Sequence, residues 1–120
     1  MTTVKWILGL VVLGACAQEP MSEEGKEIYE ADAVFSNTIA ADGCSWHFEI
    51  QGVDSTITLL APSLTSFKTI EAKLGSMESS YSTTQVRLQY SFTGNKRAVP
   101  CGWGTTSEMD EITVRSIRKK

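Results

Sequence analysis

Two stretches of this chain alternate apolar and polar residues with a period of two, and this constrains its fold more than any other feature. Across residues 44–51, Cys44, Trp46, Phe48 and Ile50 fall on one face, and Ser45, His47, Glu49 and Gln51 on the other. Across residues 85–93, Val86, Leu88, Tyr90 and Phe92 alternate with Arg87, Gln89, Ser91 and Thr93. A helix would scatter these side chains around its circumference. A strand sorts them into one buried and one wet face. The pattern therefore predicts two strands, with Cys44 toward the core and His47 on the wet side beside Glu49.

The other elements follow from local signals. Residues 28–39 read as the first strand, with Ile28, Val34, Phe35 and Ile39 apolar and a bulge or bend expected near Asp32. Ala40-Ala41-Asp42-Gly43 reads as a turn, and Gly52-Val53-Asp54 as a hairpin turn. Residues 55–61 return with Ile57, Leu59 and Ala61 on one face, and Pro62 ends the strand. Phe67, Ile70 and Leu74 recur at helical spacing, with Ser63, Thr65 or Ser66 to cap the helix and Gly75 to end it. Residues 76–84 are rich in serine and threonine and read as a loop; Gly94-Asn95-Lys96 reads as a turn. Residues 111–118 form the last strand, with Ile112 and Val114 inward.

Three strands, a short helix and two more strands is the layout of the OB-fold, a small Greek-key barrel. The expected class is mostly β: a five-stranded OB-like β-barrel with one short helix. A small β-sandwich is the alternative. Closure into a barrel also removes exposed sheet edges.

The start of the chain bears on its location. Lys5 precedes an apolar run over residues 7–13, then Gly14, Ala15 and Cys16. The run is too short to span a bilayer, which needs about 20 residues. Leu13-Gly14-Ala15-Cys16 resembles the lipobox of bacterial lipoproteins. That resemblance implies export, a lipid thioether on Cys16, cleavage between Ala15 and Cys16, and anchoring in the cell membrane or outer membrane with the domain facing the periplasm or exterior. Residues 1–15 are then a signal peptide, residues 16–27 the lipidated cysteine and a polar tether, and residues 28–120 a single β domain. With Cys16 assigned to lipid, Cys44 and Cys101 are left. An exported pair in an oxidising compartment reads as a disulfide, and no CxxC spacing favours a metal or redox pair.

Further pieces carry a second resemblance. They are Cys44-x-Trp46-x-Phe48-x-Ile50, Pro62 after the third strand, Tyr90 in a strand ending Thr93-Gly94, then Cys101-Gly102 and a final Ile/Val strand. Together they resemble small Bacteroidetes-type lipoproteins. The resemblance implies an envelope location and brings no activity with it.

The formal net charge of −3 argues against nucleic acid as a partner, because sequence-independent binding relies on Lys and Arg against phosphate. Arg115, Arg118, Lys119 and Lys120 read as a strand edge and tail in solvent. His47 is the one histidine, and its pairing with Glu49 reads as a solvated strand face. No spacing supports a catalytic set, a metal cluster or a phosphate-cradling loop, so neither an enzyme nor a cofactor is expected. The expected function is a non-catalytic binding module holding an envelope or extracellular protein or a glycan. Tyr81 in the loop at 76–84 and Trp103 in the loop at 100–106 are the candidate contacts, since aromatics often anchor interfaces. Trp103 has two readings, packed on the disulfide or exposed as a contact. Inhibition of a host or rival hydrolase such as a lysozyme or protease, and a purely structural envelope role, are the alternative functions.

Overall fold

The structure, a computed structural model, describes residues 26–120. The signal segment, Cys16 and nearly all of the expected tether lie outside the described residues. The elements are β1 (Tyr29–Asn37), β2 (His47–Gln51), β3 (Ile57–Pro62), α1 (Ser66–Leu74), β4 (Ser82–Pro100) and β5 (Thr106–Lys119). They close into a barrel in the order β1-β2-β3-β5-β4, with β1 pairing β4 to complete the ring. Only the β3–β5 contact is parallel. This is the OB-like barrel expected from the element order, and its closure rules out the sandwich.

The barrel interior is filled by alternate residues of each strand. Phe35, Phe48, Leu60, Val86, Leu88, Tyr90, Ile112, Val114 and Ile117 form one buried cluster, joined by Ile70 of α1. Phe35 lies between two aromatics, its ring 4.8 Å from Trp46 and 4.7 Å from Phe48. The helix is tied to the barrel by a polar pin at its start. Ser66 Oγ accepts the Val114 N–H at 2.9 Å and bonds Ser63 Oγ at 2.8 Å. Gly75, at φ 98°, ends the helix in a conformation that a side chain would oppose.

β4 does not stop at Gly94. Phe92 pairs with Ile112 and Lys96 pairs with Asp110, so residues 93–95 oppose Glu111 alone. This bulge redirects the ribbon. Gly94 takes φ 91° there, and Thr93 Oγ1 donates to Glu111 Oε1 at 2.9 Å. Beyond the bulge β4 and β5 continue as a two-stranded arm. Its Val99 and Met109 pack with Ala61, Leu59 and Cys44 in a second buried cluster. Leu60 points into the barrel, so Leu59 and Ala61 belong to the outer face of β3. The arm therefore covers part of the barrel wall from outside.

The arm explains where the sequence reading departs from the structure. β2 begins at His47 rather than Cys44, and His47 is buried, with 3% of its surface exposed, not on a wet face. Phe48 pairs with Leu60, and one further residue along that register sets His47 opposite Ala61, beneath the arm. The core residue of β3 is Leu60, not Leu59 and Ala61, which belong to the second layer. The bulge expected near Asp32 does not form: β1 pairs with β4 without a break from Tyr29↔Tyr90 to Asn37↔Ser82. The irregularity falls instead at 93–95, where a turn was expected.

Candidate binding surface

Three loops meet at one end of the barrel. The first follows β1. Thr38 N–H donates to Cys44 O at 2.9 Å and Gly43 N–H to Thr38 O at 2.8 Å, closing a tight turn with Asp42 at φ 65°. The second precedes β4. Asn37 Nδ2 donates to Ser79 O at 2.9 Å and Ala40 N–H to Ser80 O at 3.2 Å, which ties this loop to the first. The third is the tip of the arm. Gly102 N–H donates to Gly43 O at 2.9 Å and Ser45 N–H to Pro100 O at 2.8 Å. The Cys44–Cys101 disulfide clamps the same two loops, with Cα atoms 3.9 Å apart in an antiparallel bridge.

This clamp leaves no room for a side chain at Gly102. A Cβ there would lie 2.5 Å from Asp42 Cα. The next residue is Trp103, at φ 62°, followed by Gly104 at φ 72°. A bulky residue in the left-handed region is strained, and such strain persists only where the surroundings hold it in place. Here they do: Cys101 N–H donates to Thr105 O at 2.9 Å, and Thr105 Oγ1 donates to Gly102 O at 2.8 Å. The indole is 85% exposed, so of its two readings the exposed one holds. Tyr81 is 58% exposed. Its backbone is set by Ser79, whose Oγ donates to Tyr81 O at 2.6 Å and accepts the Tyr81 N–H at 3.1 Å. Because the 38–43 turn bonds both neighbouring loops, Tyr81 and Trp103 belong to one loop cluster.

His47 and Glu49 form the other polar feature. His47 Nδ1 lies 2.6 Å from Ser45 O, and Nε2 lies 2.9 Å from Glu49 Oε2. The expected pair thus forms, but with a buried ring holding a partly exposed carboxylate in place, where the surface-strand reading had both in solvent. The missed signal was in the sequence: residues 57–61 carry apolar side chains on both faces, which marks a strand covered on both sides. Glu49 lines a cavity of about 260 Å³ on the outer wall, which runs from Gln51 and Ile57 across Asp32, Ala33 and Val34 of β1 to Gln85 and Lys120. Arg87 donates through Nε to Glu30 Oε2 at 2.9 Å and through Nη1 to Asp32 Oδ1 at 3.0 Å; Lys120 Nζ reaches Asp32 Oδ2 at 3.1 Å. Hydrogen bonds from Arg87 hold both carboxyls below the usual carboxylate range.

Among the described residues, no group of three His, Cys, Asp or Glu side chains could hold a metal ion, and no helix is long and apolar enough to cross a membrane. No family model, curated protein or solved structure matches this chain.

Proposed function

We propose that this protein is a lipid-anchored binding module of the cell envelope, and that it grips a protein partner through Tyr81 and Trp103. The observation that carries this reading is Trp103: an 85% exposed indole in a left-handed conformation, on a tip clamped by a disulfide. A large apolar side chain on a backbone already held in place loses little backbone entropy when a partner covers it. The position of the tip suits the expected anchor. The chain enters the barrel at Tyr29, and β1 then runs about 26 Å, at roughly 3.3 Å per residue, before reaching the 38–43 turn. A tether ahead of Tyr29 would present Trp103 on the side away from the membrane.

The test is crosslinking and pull-down from intact cells, comparing wild type with the Tyr81→Ala/Trp103→Ala double variant. Loss of a specific envelope or extracellular protein from the variant supports the reading. An identical set of captured proteins, from a variant that melts like wild type, would refute it. Binding of a glycan array by the purified domain, lost in the variant, would replace the protein partner with a saccharide.

A further inference from the structure

The exposed apolar side chains of this protein are not spread evenly. Of the eight large ones among the described residues, five lie at the end of the barrel where the chain enters: Ile28, Tyr29, Val53, Ile57 and Phe92. Tyr29 opens β1, and its ring meets that of Phe92 edge-on at 5.3 Å. The two line an open groove of about 270 Å³ with Lys26, Glu27, Thr93 and Gly94. β2 runs antiparallel to β1 with Val34 opposite Glu49, so the turn after Gln51 comes level with the start of β1. Val53 projects from that turn wholly into solvent, and Ile57 begins the return strand. Tyr81 and Trp103 belong to the loop cluster at the opposite end.

We propose that this end of the barrel rests on the lipid bilayer, with Ile28, Val53 and Ile57 against the acyl chains and Tyr29 at the level of the headgroups. The proposal rests on the lipid-anchor reading of Cys16 given above.

The tether selects the occupant. Cys16 lies twelve residues before Ile28, a span of at most roughly 43 Å when fully extended, so a bilayer that holds Cys16 stays within reach of this end. Turning the loop cluster toward the same bilayer would use about 26 Å of that span to pass the length of β1. The tether also makes the contact intramolecular, so a few apolar side chains suffice where they would not hold a free partner. The chemistry of the surface agrees. Tyrosine is a side chain that gathers at the membrane interface. Asp54, beside Val53, is folded back on its own turn, where its Oδ1 accepts the Thr56 N–H at 3.2 Å and the Thr56 hydroxyl at 2.7 Å. Val53 is left as the leading side chain of the turn. Lys26, Glu27 and Asp54 do not make a field of one sign, so the attraction is apolar and independent of salt.

The experiment uses the full lipidated chain in vesicles of phosphatidylcholine whose acyl chains carry bromine, a quencher. Two variants, Val53→Cys and Ser80→Cys, each carry a fluorophore on the new thiol, one at each end of the barrel. The label at position 53 should be quenched at least threefold more than the label at position 80, equally at low and high salt. Adding Ile28→Asp/Ile57→Asp, at two exposed positions, should bring quenching at 53 down to the level at 80 without lowering the melting temperature. A chain that sediments with the vesicles but is quenched equally at both positions would overturn the proposal and leave the anchor standing. A chain that does not sediment would remove the anchor and the proposal with it. A label at 53 that is shielded from water but not quenched by bromine would assign this end to a second copy of the chain, and would overturn the proposal as well.

Discussion

Removing the disulfide should cost this fold much of its stability. The perturbation is the double variant Cys44→Ala/Cys101→Ala, which leaves no unpaired thiol behind. The two cysteines are 57 residues apart in sequence. In the chain-entropy model, freeing a loop of that size lets the unfolded state gain about 4 kcal/mol of conformational freedom. For a domain of this size each kcal/mol moves the melting temperature by roughly 4–8 °C, so the variant should melt roughly 15–30 °C lower. The assay is thermal unfolding followed by far-ultraviolet circular dichroism, with a urea titration to check that the transition is still cooperative. Hydrogen exchange should also quicken at Ser45 and Gly102, whose bonds to Pro100 O and Gly43 O would then join the two loops unaided. A drop below about 5 °C would refute the reasoning, since the open chain would then gain little freedom.

Three other outcomes are expected. His47→Ala should lower urea stability by about 2–4 kcal/mol, because it empties a buried site and strands the partners of both ring nitrogens; a loss under about 1 kcal/mol would show that the ring contributes little. Gly102→Ala should destabilise by about 1–3 kcal/mol through the clash with the Asp42 backbone, and a wild-type melting curve would contradict the close approach. Glu30 and Asp32 have folded-state pKa values below their ordinary ones, so their contribution is present above the unfolded carboxylate pKa of about 4 and is lost as pH falls through the folded values. Arg87→Gln should therefore flatten the acid side of the stability–pH curve, and an unchanged slope would show that the pairing has no weight.

The barrel was legible wherever one face of a strand is buried and the other wet. Val86, Leu88 and Tyr90 on β4, and Ile112 and Val114 on β5, lie inside as their alternation predicts. The helix was legible too, because Ile70 and Gly75 act locally. The arm was not legible, because it depends on a long-range contact between Val99, Met109 and the outer face of β3. Period-two alternation assigns each strand one wet face, and His47 was placed there for that reason. The same limit hid the Glu49 cavity, whose lining comes from strands distant in sequence. Tyr81 and Trp103 were legible as aromatics in polar loops, but whether Trp103 packs on the disulfide or stands in solvent was not. Their assembly into one cluster was not, since it rests on backbone hydrogen bonds made by Ala40 and Gly43.

The parallel contact between β3 and β5 has a consequence for how the molecule comes into being. β5 is the last strand in the sequence, and it joins the middle of the chain to β4. A ribosome that has released every earlier strand still holds an open sheet with two raw edges. The ring can shut only after β5 emerges, and long-range strand pairing of this kind is intrinsically slow. Such a polypeptide stays threadable until β5 has been made.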